Sequence, residues 1–200
     1  MENDVIKVIM SRRSVRNFKK EQINENNLTA IIEAGRAAPS GENERLTHII
    51  VIQNSNILQE LINISKKEFA KMIPDENTYK GLSSTIEHAH IADFHFNYTY
   101  FAPTFIVTAH KKGHTNAMAD SVCVLENMII AATALKIGSC YINPVHWLDD
   151  SQGFREFMYT IGLNPDETIT GGLAIGYPEN EMIFSSLQSS RTGNPVSYVR

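Results

Sequence analysis

Three arginines and a hydroxyl fall within five positions of this chain, Arg12-Arg13-Ser14-Val15-Arg16, and Asn17 and Phe18 follow. Guanidiniums that close repel one another, so a fold keeps them together either in water, as a solvated basic turn, or around a strong anion. The planar guanidinium pairs bidentately with phosphate oxygens and stays charged at physiological pH, so the anion it suits is a phosphate. Other candidate chemistry is thinner. Thr170-Gly171-Gly172 and Gly176 lack the spacing of a dinucleotide fingerprint and no helix pattern follows them. No serine sits in a Gly-x-Ser-x-Gly elbow, and no P-loop or zinc signature is present. Glu87, His88, His90 and His95 crowd one segment. On a helix His88 and His90 would face apart, so these read as exposed histidines of a variable loop. His110 and His114 flank Lys111-Lys112-Gly113, which reads as a solvated turn or as a docking patch for the phosphates of a nucleotide reductant. Cys140 reads as a packed thiol.

Composition narrows the class. At 200 residues, the chain fits one domain, residues 1–200, with a core of useful size. A formal net charge of −4 argues against a nucleic-acid protein. No stretch approaches the roughly 20 apolar residues that span a bilayer, and Met1-Glu2-Asn3-Asp4 is acidic where a signal peptide is basic. The expectation is a soluble, cytoplasmic protein with no membrane partner. Cys123 and Cys140 are too few for a disulfide framework, which fits a reducing compartment.

The elements that must position the arginines follow from periodicity. Asp4 caps a first helix with Val5, Ile6, Ile9 and Met10 on one stripe, and the arginine cluster lies at its end. Asn24 opens a second helix, with Leu28, Ile31, Ile32 and Gly35 at helical spacing, which must stop before Pro39. Pro39-Ser40-Gly41-Glu42-Asn43 is a turn. Residues 47–52 read as a strand buried on both faces, and 55–72 as a helix. Residues 74–100 match no regular pattern. A strand over 105–109 precedes a long, small-residue-rich helix over 116–136, the buried centre of the fold, ended by Gly138. A strand at 140–142, a helix opened by Ser151 with Phe154, Phe157, Met158 and Ile161 inward, and a strand over 168–176 complete the pattern. From Tyr177 the chain is polar, with Arg191 isolated in it and Pro195 to Val199 extended. Such a tail lies along its own domain or a second subunit.

Four blocks in this order are similar to the FMN-dependent nitroreductase family: Arg12 to Phe18 after a short helix, Pro39-Ser40-Gly41-x-Asn43 after a second, Glu126 to Ala132, and Leu135 to Cys140. The resemblance spans nearly the whole chain. It implies an α+β fold, with a central, mainly antiparallel sheet flanked by helices and a C-terminal tail that embraces the partner of a homodimer. By the same resemblance Arg12 and Arg13 contact the FMN phosphate, Ser14 bonds along the ribityl chain, and Arg16 lies toward the pyrimidine edge of the flavin. A cation there stabilises the charge that a hydride adds. Pro39, Ser40, Gly41 and Asn43 match the turn that reaches the flavin from the other subunit, so that each FMN lies at the dimer interface. Tyr141, Ile142 and Asn143 match the strand end beside N5, and Arg191 completes the phosphate site. The implied activity is hydride transfer from NADH or NADPH to an electron-poor small-molecule acceptor, a nitroaromatic or quinone, in a ping-pong cycle with no essential side-chain acid or base. Tyr98, Tyr100, Phe101 and Trp147 are candidates for the substrate wall. The same site could instead serve a specialised reaction such as dehalogenation, enoyl-type reduction or flavin fragmentation, or bind flavin without turnover. The chain departs from the family at Arg45-Leu46-Thr47, where Gln-Pro-Trp is frequent, at Pro144, which lacks an N–H, and at Ser189-Ser190, where a second basic residue is usual.

Overall fold

A computed structural model describes residues 3–91, 96–180 and 194–200. Helix α1 (Asp4–Ser11) is opened by Asn3, whose side-chain oxygen accepts from the N–H groups of Val5 and Ile6 at 2.9 and 3.3 Å. Asn3 rather than the expected Asp4 is therefore the cap, and Asp4 lies in the first turn, where a negative charge suits the helix dipole. Asn24 caps α2 (Glu25–Arg36) in the same way by accepting from Asn27 N–H, and Asn54 caps α3 (Ser55–Phe69). The segment with no sequence pattern contains α4 (Lys80–His90), so His88 and His90 are helical, while His95 lies outside the described residues.

Strands β1 (His48–Ile52), β2 (Thr104–Lys111), β3 (Gly138–Ile142) and β4 (Glu167–Gly176) form one antiparallel sheet in the order β1-β2-β4-β3. β2 and β4 are central and almost wholly buried. β1 was expected to be buried on both faces, but among the described residues it pairs with β2 alone, and His48, Ile49 and Val51 are half-buried. β-branched content marked it as a strand without distinguishing a centre from an edge.

Alternate residues of β2 divide the core. Phe105, Val107 and Ala109 join Leu61, Phe69, Ile86, Phe154 and Met158, from α3, α4 and α6 (Gln152–Thr160). Ile106 points the other way, to Ile31, Leu125 and Met128 on α2 and α5 (Ala117–Ala134). The result is three layers, helices on both sides of a sheet. Helix α5 is long and apolar enough to cross a membrane by length and composition, yet half of it is buried inside this fold, where it packs on α2 and the sheet.

The end of α5 departs from expectation. Gly138 does not end it: Lys136 takes the left-handed position (φ 59°), with Lys136 N–H bonded to Thr133 and Ile137 N–H to Ala132. This is a Schellman closure built on lysine and held by the fully buried Ile137. Gly138 answers a different need, since a Cβ there would lie 2.9–3.0 Å from the side-chain carbons of Val15. Glycine at this position lets the arginine segment run against β3.

Candidate functional site

The arginine segment is itself strand-like. Ser14 bridges Ser139 in parallel, Val15 N–H donates to Ser139 O at 2.9 Å, and Lys19 N–H donates to Tyr177 O at 2.8 Å. Val15 and Phe18 point into the core, which leaves Ser14 and Arg16 exposed and Arg12 and Arg13 half-buried. Arg13 Nη1 donates to the carbonyls of Met10 and Arg12 at 3.2 and 2.9 Å, so its charge sits at the C-terminal end of α1, where the dipole favours it. Arg12, Ser14, Ser139 and Tyr141 line a cavity of about 320 Å³ whose other wall is Val122, Leu125, Glu126 and Ile129 of α5. One side thus offers a guanidinium and hydroxyls, the other a mainly apolar face that also carries the Glu126 carboxylate.

Arg16 turns toward the loop after α4. Its Nε donates to the Tyr100 hydroxyl at 3.3 Å and its guanidinium lies 5.7 Å from the ring centre, and this hydrogen bond holds its pKa above the ordinary arginine value. Tyr100 and Phe101 both have φ of 56°, a conformation that non-glycine residues adopt rarely and that clusters at ligand sites. Phe101 is well exposed, and Trp147 is half-buried against Tyr79 and His146. Tyr98 is not a wall residue. It is buried among Phe69, Phe96 and Phe105, its hydroxyl 2.9 Å from Ser65 Oγ, and burial pushes its pKa up. An aromatic whose polar tip finds an internal partner belongs to the core.

At the end of β3, Tyr141 reaches into the cavity and donates to Asn143 Oδ1 at 3.1 Å, while Ile142 is buried. Asn143 opens the 3₁₀ turn Pro144–Leu148, where proline is at the first position, which needs no N–H partner. The buried Cys140 thiol is held protonated by its surroundings: burial raises its pKa, against the opposing pull of Arg16 and Arg12. It behaves as a packed thiol.

The second block is placed elsewhere. Pro39 and Ser40 line another cavity of about 320 Å³ with Arg36, Ala38, Arg45 and Val124, and the two cavities share no residue. Gly41 begins the 3₁₀ turn Gly41–Asn43, with its N–H on Asp120 Oδ1 at 3.0 Å and a Cβ there colliding with the Asn116 amide. Glu42, Asn43 and Arg45 are all left-handed, and Arg45 ties the turn by donating from its backbone N–H to Ser40 Oγ and from Nε to Asn43 Oδ1, both at 3.0 Å. One chain therefore keeps the arginine block and the Pro39–Asn43 block on different cavities, with α5 bordering both. Arg191 lies outside the described residues.

Sequence reasoning missed Asp120, and it singled out Glu126 to Ala132 on α5 without assigning that block a place in the cavity wall. A carboxylate in the first turn of a mainly apolar helix was the available signal for Asp120. His110 was also misread: it is fully buried within β2, and His114 alone carries the turn.

The profile of the Nitroreductase family matches residues 9–177. A nitroreductase with bound FMN from Bacteroides fragilis NCTC 9343 superposes over the whole of both chains with a TM-score of 0.83 and 30% identity. Another with bound FMN, from Desulfitobacterium hafniense DCB-2, does so with a TM-score of 0.79 and 23% identity. An NADPH-dependent oxidoreductase of Staphylococcus saprophyticus is 24% identical over 192 residues, 90% of this chain and 67% of its own. With the α+β architecture and the ordered arginine and serine-glycine blocks, these matches place the chain in the nitroreductase family.

Proposed function

We propose that this chain is an FMN-dependent oxidoreductase that takes hydride from NADH or NADPH and passes it to an electron-poor small molecule, a nitroaromatic or quinone, with both using one face of the site in turn. The observation that carries the reading is the cavity between the arginine strand and α5, where Arg12, Ser14 and Ser139 face Val122, Leu125, Glu126 and Ile129. Its donor set fits the group: a cation and hydroxyls for a phosphate and a polyol chain, and an apolar face for a planar ring. When bound, FMN supplies the hydride chemistry at its N5. The protein's share is to bind and orient. Arg12 holds the phosphate with Arg13, Ser14 bonds along the ribityl chain, and Tyr141, Ile142 and Asn143 edge the ring; the family resemblance adds Arg191 to the phosphate ligands. Arg16, kept positive by its bond to Tyr100, favours the added negative charge at the pyrimidine edge. Tyr100 and Phe101, both left-handed, are the aromatic wall over which an acceptor stacks.

The site needs two chains in this reading. Pro39, Ser40, Gly41 and Asn43 reach the flavin of a second copy, which accounts for their position on a separate cavity. Two exposed apolar surfaces favour a homodimer: Val5, Ile6, Ile9 and Met10 on α1, and Met118 and Val122 on α5. Residues 194–200 are all exposed, the apolar Val196, Tyr198 and Val199 among them, as befits a tail that lies on a partner. The test is the absorption spectrum of the purified protein before and after anaerobic NADH or NADPH. Flavin bands that bleach with reductant and return with a nitroaromatic or quinone are expected. A colourless protein whose addition leaves the spectrum of free FMN unchanged overturns the proposal.

A further inference from the structure

Beneath the Gly41–Asn43 turn lies a polar cluster that the proposed flavin chemistry does not use. His110 at the end of β2, His114 in the following turn and Asp120 in the first turn of α5 bring one donor atom each within 4.8 Å of the others. His110 is fully buried, and among the described residues neither of its ring nitrogens has a hydrogen-bond partner. Asp120 is buried too: its Oδ1 accepts from Gly41 N–H, and among the described residues its Oδ2 has no hydrogen-bond partner. A buried imidazole and a buried carboxylate oxygen left in this state are costly, and native folds rarely leave them so.

The separations suit a shared cation better than a direct bond. His110 Nε2 and Asp120 Oδ2 are 3.7 Å apart, too far for a hydrogen bond. Ligand bonds of about 2.1 Å in a tetrahedral site put neighbouring donors about 3.4 Å apart. His114 is oriented as metal-binding histidines are. Its Nε2 lies 2.8 Å from Glu44 Oε2, and a carboxylate that accepts there keeps the proton on Nε2 and makes Nδ1 the acceptor; Asn116 N–H now donates to Nδ1 at 3.3 Å, a long bond that a bound cation would have to displace. Two imidazoles and one carboxylate suit zinc and its neighbours rather than calcium or magnesium.

We propose that His110, His114 and Asp120 form a binding site for a divalent transition cation of the zinc class, with Glu44 orienting His114. The cation fastens the Gly41–Glu44 turn to β2 and α5, because Gly41 is held by Asp120 and Glu44 by His114. The site stands independently of the flavin reading, and its test needs no turnover.

Chelator-stripped full-length protein without an affinity tag is titrated with zinc chloride by calorimetry, and its thermal unfolding is followed with and without zinc. One equivalent per chain and a raised melting temperature are expected. His114→Ala, a change at a partly exposed ring, should weaken zinc at least tenfold, and Glu44→Gln about tenfold, while His88→Ala leaves binding unchanged. Asp120→Asn should also lose zinc, and the His114 and Glu44 variants keep the test valid if that chain fails to fold. Absence of saturable zinc binding, another stoichiometry, or unchanged affinity in His114→Ala overturns the site.

Discussion

Arg12 and Arg13 adjoin in sequence but differ in what they touch. Arg12 lines the cavity, whereas Arg13 donates to the carbonyls that end α1. Replacing Arg12 with alanine should weaken FMN binding by about 1.5–3 kcal/mol, the range for charge-assisted hydrogen bonds, as measured by fluorescence titration. Arg13→Ala should weaken it too and in addition fray α1, which circular dichroism would register. Arg16→Gln should lower the flavin reduction potential, because a cation that stabilises the reduced form is gone; an unchanged potential would assign Arg16 only to holding Tyr100. At this scale the sequence was most legible where chemistry is written in residue type, as in clustered guanidiniums. It was least legible where neighbours decide. Nothing local separates Tyr98, whose hydroxyl meets Ser65, from Tyr100, whose hydroxyl meets Arg16. His110 looked like part of a basic turn because the bulk of the sheet above it is remote in sequence.

Elements followed periodicity, and their ends followed particular side chains. Asn24 and Ser151 were readable as caps, yet at α1 the cap shifted from Asp4 to Asn3, and at α5 a lysine did what a glycine was expected to do. Helix α4 escaped because Lys80–His90 is flanked by polar residues and buries only Ile86 and Ala89. Gly138 offers a test of how the arginine strand docks. Gly138→Ala must push Val15 away, and the expected loss is about 1–3 kcal/mol by urea unfolding, the usual cost of overpacking. Two carboxylates fasten other elements. Glu68 is held below its ordinary pKa by Lys71 and then by Ser151; for Glu167 burial acts upward but is outweighed by His48 and Asn164. Both folded values lie under the ordinary carboxylate value of 4.5, so the stability they give is present above it and lost as pH falls through the folded values. Urea midpoints should therefore hold near neutrality and drop below about pH 4.5, with a shallower drop in a Glu68→Gln, Glu167→Gln double variant.

At the scale of the whole molecule the two cavities on either side of α5 carry the largest prediction. If the Pro39–Asn43 block completes a second copy's site, Ile6→Glu with Ile9→Glu should yield monomers by light scattering, and those monomers should lose FMN although Arg12 and Ser14 are intact. Removal of residues 194–200 should lower the melting temperature and favour dissociation; a truncated protein that stays dimeric with unchanged melting would show that the tail does not embrace a partner. The sequence could state the order of the blocks but not their separation in space, because spacing along the chain does not say which cavity a turn lines. Helix α1 has a consequence of its own. Eight residues form a marginal helix in water, and none of these eight is buried by its own chain. The arginine strand begins at the residue after it. If FMN is held between two chains as proposed, cofactor retention and protein concentration should be linked by mass action: specific activity falls as the protein is diluted and returns when FMN is added, because each flavin captured would help pair two chains and so order the helix that leads into the arginine strand.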